Sequence, residues 1–139
     1  MKIPLNIAIL FWLVILTNSK TNSQNIVPII DTTIYYDVDQ YPILITEQRE
    51  YELKDLKEFI KLNIKYPDNG MDCQGKVYIS CVVEKDGHIS SKKYIRKLCK
   101  GFDENALSVV DLMKKWKPGY KNNKPVRTWI VIPIGFTIY

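Results

Sequence analysis

Between residues 127 and 138 the chain alternates without a fault. Ile130, Ile132, Ile134, Phe136 and Ile138 fall on one face, and Arg127, Trp129, Val131, Pro133 and Gly135 on the other. Period two is the mark of a strand with one buried face, so a strand is predicted here. Pro133 cannot donate to a ladder, which places the strand at a sheet edge or at a bulge. An edge with Trp129 and Val131 on its outer face invites pairing with another chain unless something covers it.

Upstream the pattern changes period twice. Leu53, Leu56, Ile60 and Ile64, with Phe59 beside them, make an apolar helical stripe over 51–64. Glu50 and Lys54 stand at the favourable i,i+4 spacing, and Tyr66-Pro67 stops the helix. Lys76 to Lys85 then alternates, with Val77, Ile79, Cys81 and Val83 on one face, and His88 to Lys97 continues beyond Asp86-Gly87. Asp-Gly between two such runs predicts a two-residue type I′ hairpin turn. Asp103 is read as the cap of a second helix. Ala106, Val109, Val110, Met113 and Trp116 form its stripe, Lys114, Lys115 and Lys117 lie at its far end, and Pro118-Gly119 ends it. The order helix, strand, strand, helix, strand predicts an α+β fold. It is a three-stranded antiparallel-type sheet of order 2-1-3, with both helices on one face.

Residues 1–24 read differently from the rest. Lys2 is followed by unbroken apolar residues from Ile7 to Leu16 and a polar stretch from Thr17 to Gln24, the layout of a cleaved signal peptide. The rival reading is an uncleaved inner-membrane anchor. The uncharged window from Ile3 to Ser19 sits at the lower edge of the roughly 17–25 residues that span a bilayer. Residues 25–50 read as a spacer with some strand character, in Ile34 to Val38 and Ile43 to Ile45, and residues 51–139 as the domain.

Charge and chemistry narrow the function. Residues 25–70 hold five basic and nine acidic groups, whereas 71–139 hold thirteen and six. A basic half suggests nucleic acid in a cytosolic chain. Export removes that partner and leaves an acidic peptide, a membrane surface or a wall polymer. Three cysteines in an oxidising compartment predict one pair and one left over. The hairpin puts Cys73 and Cys99 one position out of register at its open end. A bulge or fraying there brings them within disulfide reach; otherwise all three stay free thiols. No CxxC occurs and His88 is the only histidine, so neither a metal nor a cofactor is expected. Ser80, Ser90 and Ser91 have no acid–base partners in the pattern, so catalysis is not expected either.

Six short motifs then occur in order. They are Leu56-Lys57-Glu58-Phe59-Ile60 leading to Tyr66-Pro67; Gly75-Lys76-Val77-Tyr78-Ile79-Ser80; Val83-Glu84-Lys85-Asp86-Gly87; Phe102-Asp103-Glu104-Asn105-Ala106-Leu107; Trp116-Lys117-Pro118-Gly119; and Lys124-Pro125-Val126-Arg127. In this order and spacing residues 51–139 resemble the TonB C-terminal domain, in the versions common in Bacteroidetes-type bacteria. The resemblance implies a periplasmic domain in TonB-dependent transport. It would bind the TonB-box segment of an outer-membrane receptor by adding that segment as a strand. The implied docking edge is Arg127, Thr128, Trp129, Ile130, Val131, Ile132 and Pro133, continuing to Ile138, with Lys65, Tyr66 and Pro67 as the neighbouring contact. Asp68 and Asn69 stand where many relatives carry a basic residue.

The stretch from Thr17 to Tyr51 reaches about 110 Å at ~3.3–3.6 Å per residue. That is short for a transducer linking two membranes, so a stand-alone periplasmic module is expected. The competing expectation is an envelope structural or regulatory protein whose edge strand pairs with a second copy as a homodimer.

Overall fold

In the computed structural model, which describes residues 28–68 and 70–137, the alternating C-terminal run becomes the longest of the described strands. The signal peptide or anchor expected over 1–24 lies outside the described residues. Among the described residues no helix is long and apolar enough to cross a membrane. The strands in chain order are β1 (Ile34–Tyr35), β2 (Ile43–Ile45), β3 (Glu50–Tyr51), β4 (Gly75–Val83), β5 (Ile89–Arg96), β6 (Trp116–Lys117), β7 (Gly119–Lys121) and β8 (Lys124–Phe136). The α-helices among the described residues are α1 (Leu56–Asn63) and α2 (Phe102–Leu112).

The main sheet runs β1-β8-β4-β5, and β7 also pairs with β8. β4 is antiparallel to both β5 and β8, so those two run the same way on either side of it. β1 adds in parallel on the far side of β8, which makes the sheet mixed and larger than the three strands expected. A second small sheet, β3-β2-β6, packs nearby. The compact unit that carries both sheets begins at Asp31. Residues read from sequence as a spacer are therefore part of the body, with Val38 and Leu44 buried.

One face of the main sheet is the core. Val77, Ile79, Cys81 and Val83 of β4 and Ile130, Ile132, Ile134 and Phe136 of β8 meet Leu56, Phe59 and Ile60 of α1 and Ala106, Val109 and Val110 of α2 in a single cluster. Each fully buried aliphatic side chain there is worth about 1.5–3 kcal/mol of transfer free energy. The strict alternation of β8 is the reason it can lie flat on this cluster and still present a second face.

Several local expectations give way to tertiary pairing. Tyr51 joins β3 instead of opening α1, and a 3-10 turn over Leu53–Asp55 leads into the helix. The Glu50–Lys54 pair does not form: Glu50 meets Lys117 at 2.6 Å, and Lys54 meets Glu52 at 2.9 Å. The N-cap of α2 lies two residues earlier than expected, at Gly101 rather than Asp103. The Glu104 carboxylate accepts the Gly101 N–H, while Asp103 accepts the Leu98 N–H at 2.7 Å. The helix ends at Leu112, so Trp116 and the neighbouring lysines lie beyond it. Trp116 is buried in β6 and donates its indole N–H to the Met113 carbonyl at 2.9 Å.

The β4–β5 connection is a three-residue loop, Lys85–Gly87, not a two-residue turn. Glu84 receives the Gly87 N–H at 2.9 Å, and its own N–H bonds to the His88 carbonyl at 2.9 Å. Gly87 sits at φ 88°, the left-handed conformation that such a loop needs. A Cβ there would lie 2.1 Å from the Trp116 carbonyl oxygen, so the site accepts only glycine without rearrangement. Two register shifts follow along β4–β5, with Ser91 at φ 52°. Beyond the ladder's open end Cys73 and Cys99 join in a disulfide, their Cα atoms 6.5 Å apart. Cys81 is the free, buried cysteine.

Candidate partner-binding edge

Apart from β1, which borders only the start of β8, the main sheet is bounded by β5 on one side and β8 on the other, and these two strands are built differently. β5 carries two bulges and a lysine-rich sequence, the devices that keep an edge from pairing with another chain. Lys92 is tied to Asp111, and the Lys97 ammonium lies 4.9 Å from the Tyr94 ring centre. β8 carries no charge from Trp129 to Phe136, and its register with β4 runs unbroken from Thr128 to Phe136. On the side away from β4, this stretch has no strand partner among the described residues.

The far side of β8 is occupied only at its start. β1 lies against it there, with Ile34 beside Arg127 and Tyr35 beside Thr128. Arg127 and Thr128, two residues of the expected docking edge, are thus already engaged. Arg127 is committed through its side chain as well. Its Nε and Nη2 donate to Glu84 at 2.6 and 2.9 Å, and Nη1 donates to the Thr32 carbonyl at 2.6 Å. Ser90 donates to the same Glu84 carboxylate. The Arg127 guanidinium, followed by the Ser90 hydroxyl, holds the Glu84 carboxyl down at about 2 despite its burial.

Trp129, Ile130, Val131, Ile132 and Pro133 lie in the unpaired stretch. Ile130 and Ile132 point into the core, and Trp129 and Val131 are half-buried on the outer face, where Pro133 is exposed. The Tyr36 ring meets the Trp129 ring at 5.4 Å between centres, which covers part of the indole. Pro133 sits opposite Tyr78 within the ladder. A proline costs no ladder bond there only if its nitrogen faces away from β4. Residues of a strand alternate in the side to which their N–H and C=O point. That places the backbone groups of Trp129, Val131 and Gly135 on the unpaired side as well.

Tyr66 closes the opposite end. Its hydroxyl donates to the Thr137 carbonyl at 3.1 Å and accepts the Thr137 N–H at 3.2 Å. Its ring packs edge-on against Phe136 and Phe102, at 5.6 and 6.5 Å between centres. Lys65 contributes its carbonyl to Asn105, at 2.8 Å, and Pro67 is half-buried. The Tyr66-Pro67 segment and β8 are therefore brought together, while Lys65 is turned toward α2. The Glu84–Arg127 pair, Tyr36 and Thr137 were not singled out from sequence. Their roles come from contacts spanning 43 to 95 positions, and only the β-prone run Ile34 to Val38 hinted at one of them.

No group of three or more His, Cys, Asp or Glu residues placed to hold a metal occurs among the described residues. The fold is a small α+β domain in which, among the described residues, one side of β8 is unpaired from Trp129 to Phe136. The family model described as Gram-negative bacterial TonB protein C-terminal matches residues 63–138, more than half of the sequence, and the chain belongs to that family. Among solved structures it is similar to the NMR solution structure of the Helicobacter pylori TonB C-terminal domain. The identity is 18%, over 63% of this chain and 82% of that one, with a TM-score of 0.44. No curated protein matches the sequence.

Proposed function

We propose that this is a periplasmic domain of TonB-dependent transport that accepts the TonB-box segment of an outer-membrane receptor as an added strand along β8. The observation that carries the reading is the unpaired, uncharged edge from Trp129 to Phe136, beside a second edge that is bulged and basic. A guest strand would take its affinity from backbone hydrogen bonds. Its selectivity would come from alternate side chains laid on Trp129, Val131 and Pro133. Family membership supports the same reading. The domain is proposed to run from Asp31, earlier than the start at Tyr51 read from sequence, and residues 1–24 remain proposed as an export leader or a membrane anchor.

Val131→Pro tests this. It removes one N–H aimed at the guest without touching the β4 ladder. Titration calorimetry of the full chain with a 12-residue synthetic TonB-box peptide should give a Kd at least tenfold weaker for the variant, at an unchanged urea midpoint. Equal affinities, or no binding at millimolar peptide, would remove the proposal. Sedimentation of the same samples tests the homodimer reading, in which two β8 edges pair and the peptide has no effect on a stable dimer.

A further inference from the structure

We infer that the open edge is a window closed at both ends by the domain's own residues, and that these stops fix the length and register of the strand it accepts. The inference rests on the strand-addition reading and adds where a guest must begin and end.

The first stop is β1. It is fastened on both sides of its contact with β8. Before it, Asp31 pairs with Lys85 at 3.2 Å, and the Thr32 carbonyl accepts Arg127 Nη1. After it, Tyr36 packs on Trp129 and Val38 is buried. Asp39 and Gln40 both donate their N–H to the Tyr120 carbonyl, at 2.9 and 3.2 Å. A guest that advanced past Trp129 would have to break these contacts and leave Arg127 with an unused donor beside Glu84. The second stop is the Tyr66 hydroxyl, which satisfies both backbone groups of Thr137 at once. A guest strand reaching Thr137 would find its donor and its acceptor already taken.

Between the stops, Trp129 to Phe136 spans about 25 Å at ~3.3 Å per residue. The window therefore takes an extended segment of roughly six to eight residues, with small or apolar side chains on its outer face. Pro133 interrupts the row of donors at the centre, so Val131 and Gly135 supply the N–H groups on either side of it. β1 lies outside residues 63–138. The boundary at Arg127 thus comes from a part of this chain that the family match does not include.

Amide hydrogen exchange on the full chain, read residue by residue by NMR with and without the 12-residue TonB-box peptide, tests the window. The peptide should slow the Val131 and Gly135 amides at least tenfold and leave β1 and Thr137 unchanged. Tyr66→Phe keeps the ring and removes the stop. Its Thr137 amide should exchange at least tenfold faster without peptide and become slowed when the peptide binds. Loss of protection in β1 on binding would show that the guest displaces it, and would overturn the window while leaving strand addition in place. A Thr137 amide in Tyr66→Phe that behaves as in the native chain would also overturn it. No slowing anywhere on β8 would remove both readings together.

Discussion

Arg127 and Glu84 show how one residue pair can tie together the hairpin turn, the long strand and the segment that borders it. Their side chains are only 23% and 14% exposed, so the bidentate pair is shielded from solvent screening. A carboxyl whose folded pKa is depressed stabilises the fold above its unfolded value and loses that effect as pH falls through the folded one. For Glu84 the window runs from 4.5 down to about 2. Glu84→Gln should therefore lower stability at pH 7, by about 1–2 kcal/mol. The difference from the native chain should narrow as pH falls below 4.5, as read from urea midpoints. A difference that stays constant to pH 2 would dismiss the pair as the cause. Cys81 gives a second residue-scale prediction. Burial pushes its thiol up to about 12, so it should be inert in the native state. Iodoacetamide at pH 8 should label no cysteine in the folded protein, one after unfolding, and three after unfolding and reduction. Mass spectrometry reads the count, and labelling in the folded protein would contradict it.

At the scale of elements, the β4–β5 hairpin depends on two joints. Its closed end needs Gly87, where a side chain meets the Trp116 carbonyl in a left-handed backbone conformation. Gly87→Ala should cost more than ~1 kcal/mol, because positive φ and a steric clash act together. Its chemical denaturation midpoint should fall accordingly, and an unchanged midpoint would contradict the close approach. The open end is tied by Cys73–Cys99, which closes a loop of sequence separation 26. The chain-entropy account gives about 3–4 kcal/mol for such a loop. The Cys73→Ala/Cys99→Ala double variant should lose stability on that order without losing the sheet, as followed by circular dichroism during guanidinium unfolding.

For the whole molecule, the asymmetry between its two sheet edges is the feature with consequences. A sheet with two bare edges is prone to open-ended association, whereas one bulged, lysine-bearing edge limits pairing to a single side. The protein should therefore remain monomeric, or stop at a dimer, when concentrated to ~1 mM without peptide. Light scattering that grows steadily with concentration would show that β5 does not protect its edge.

Much of this protein was legible in its sequence because two periodicities each bury a single face. The alternation of Ile130 to Phe136 on β8 and of Val77 to Val83 on β4, together with the stripes of Leu56, Phe59, Ile60 and Ala106, Val109, Val110, fixed strands, helices and the core they share. Pro133, through the loss of one donor, pointed to an open side of β8, whereas the cover that β1 gives Arg127 and Thr128 had no signal in the sequence. Short elements without a period of their own were decided only in three dimensions. β1, β3, β6 and β7 span two or three residues each and exist because a neighbour supplies their hydrogen bonds. That is why Tyr51 and Trp116 left the helices that their spacing suggested. The ends of the open edge belong to the same class: whether Arg127 and Thr137 are free depends on Thr32 and Tyr66, residues whose distance in sequence gives no hint of contact.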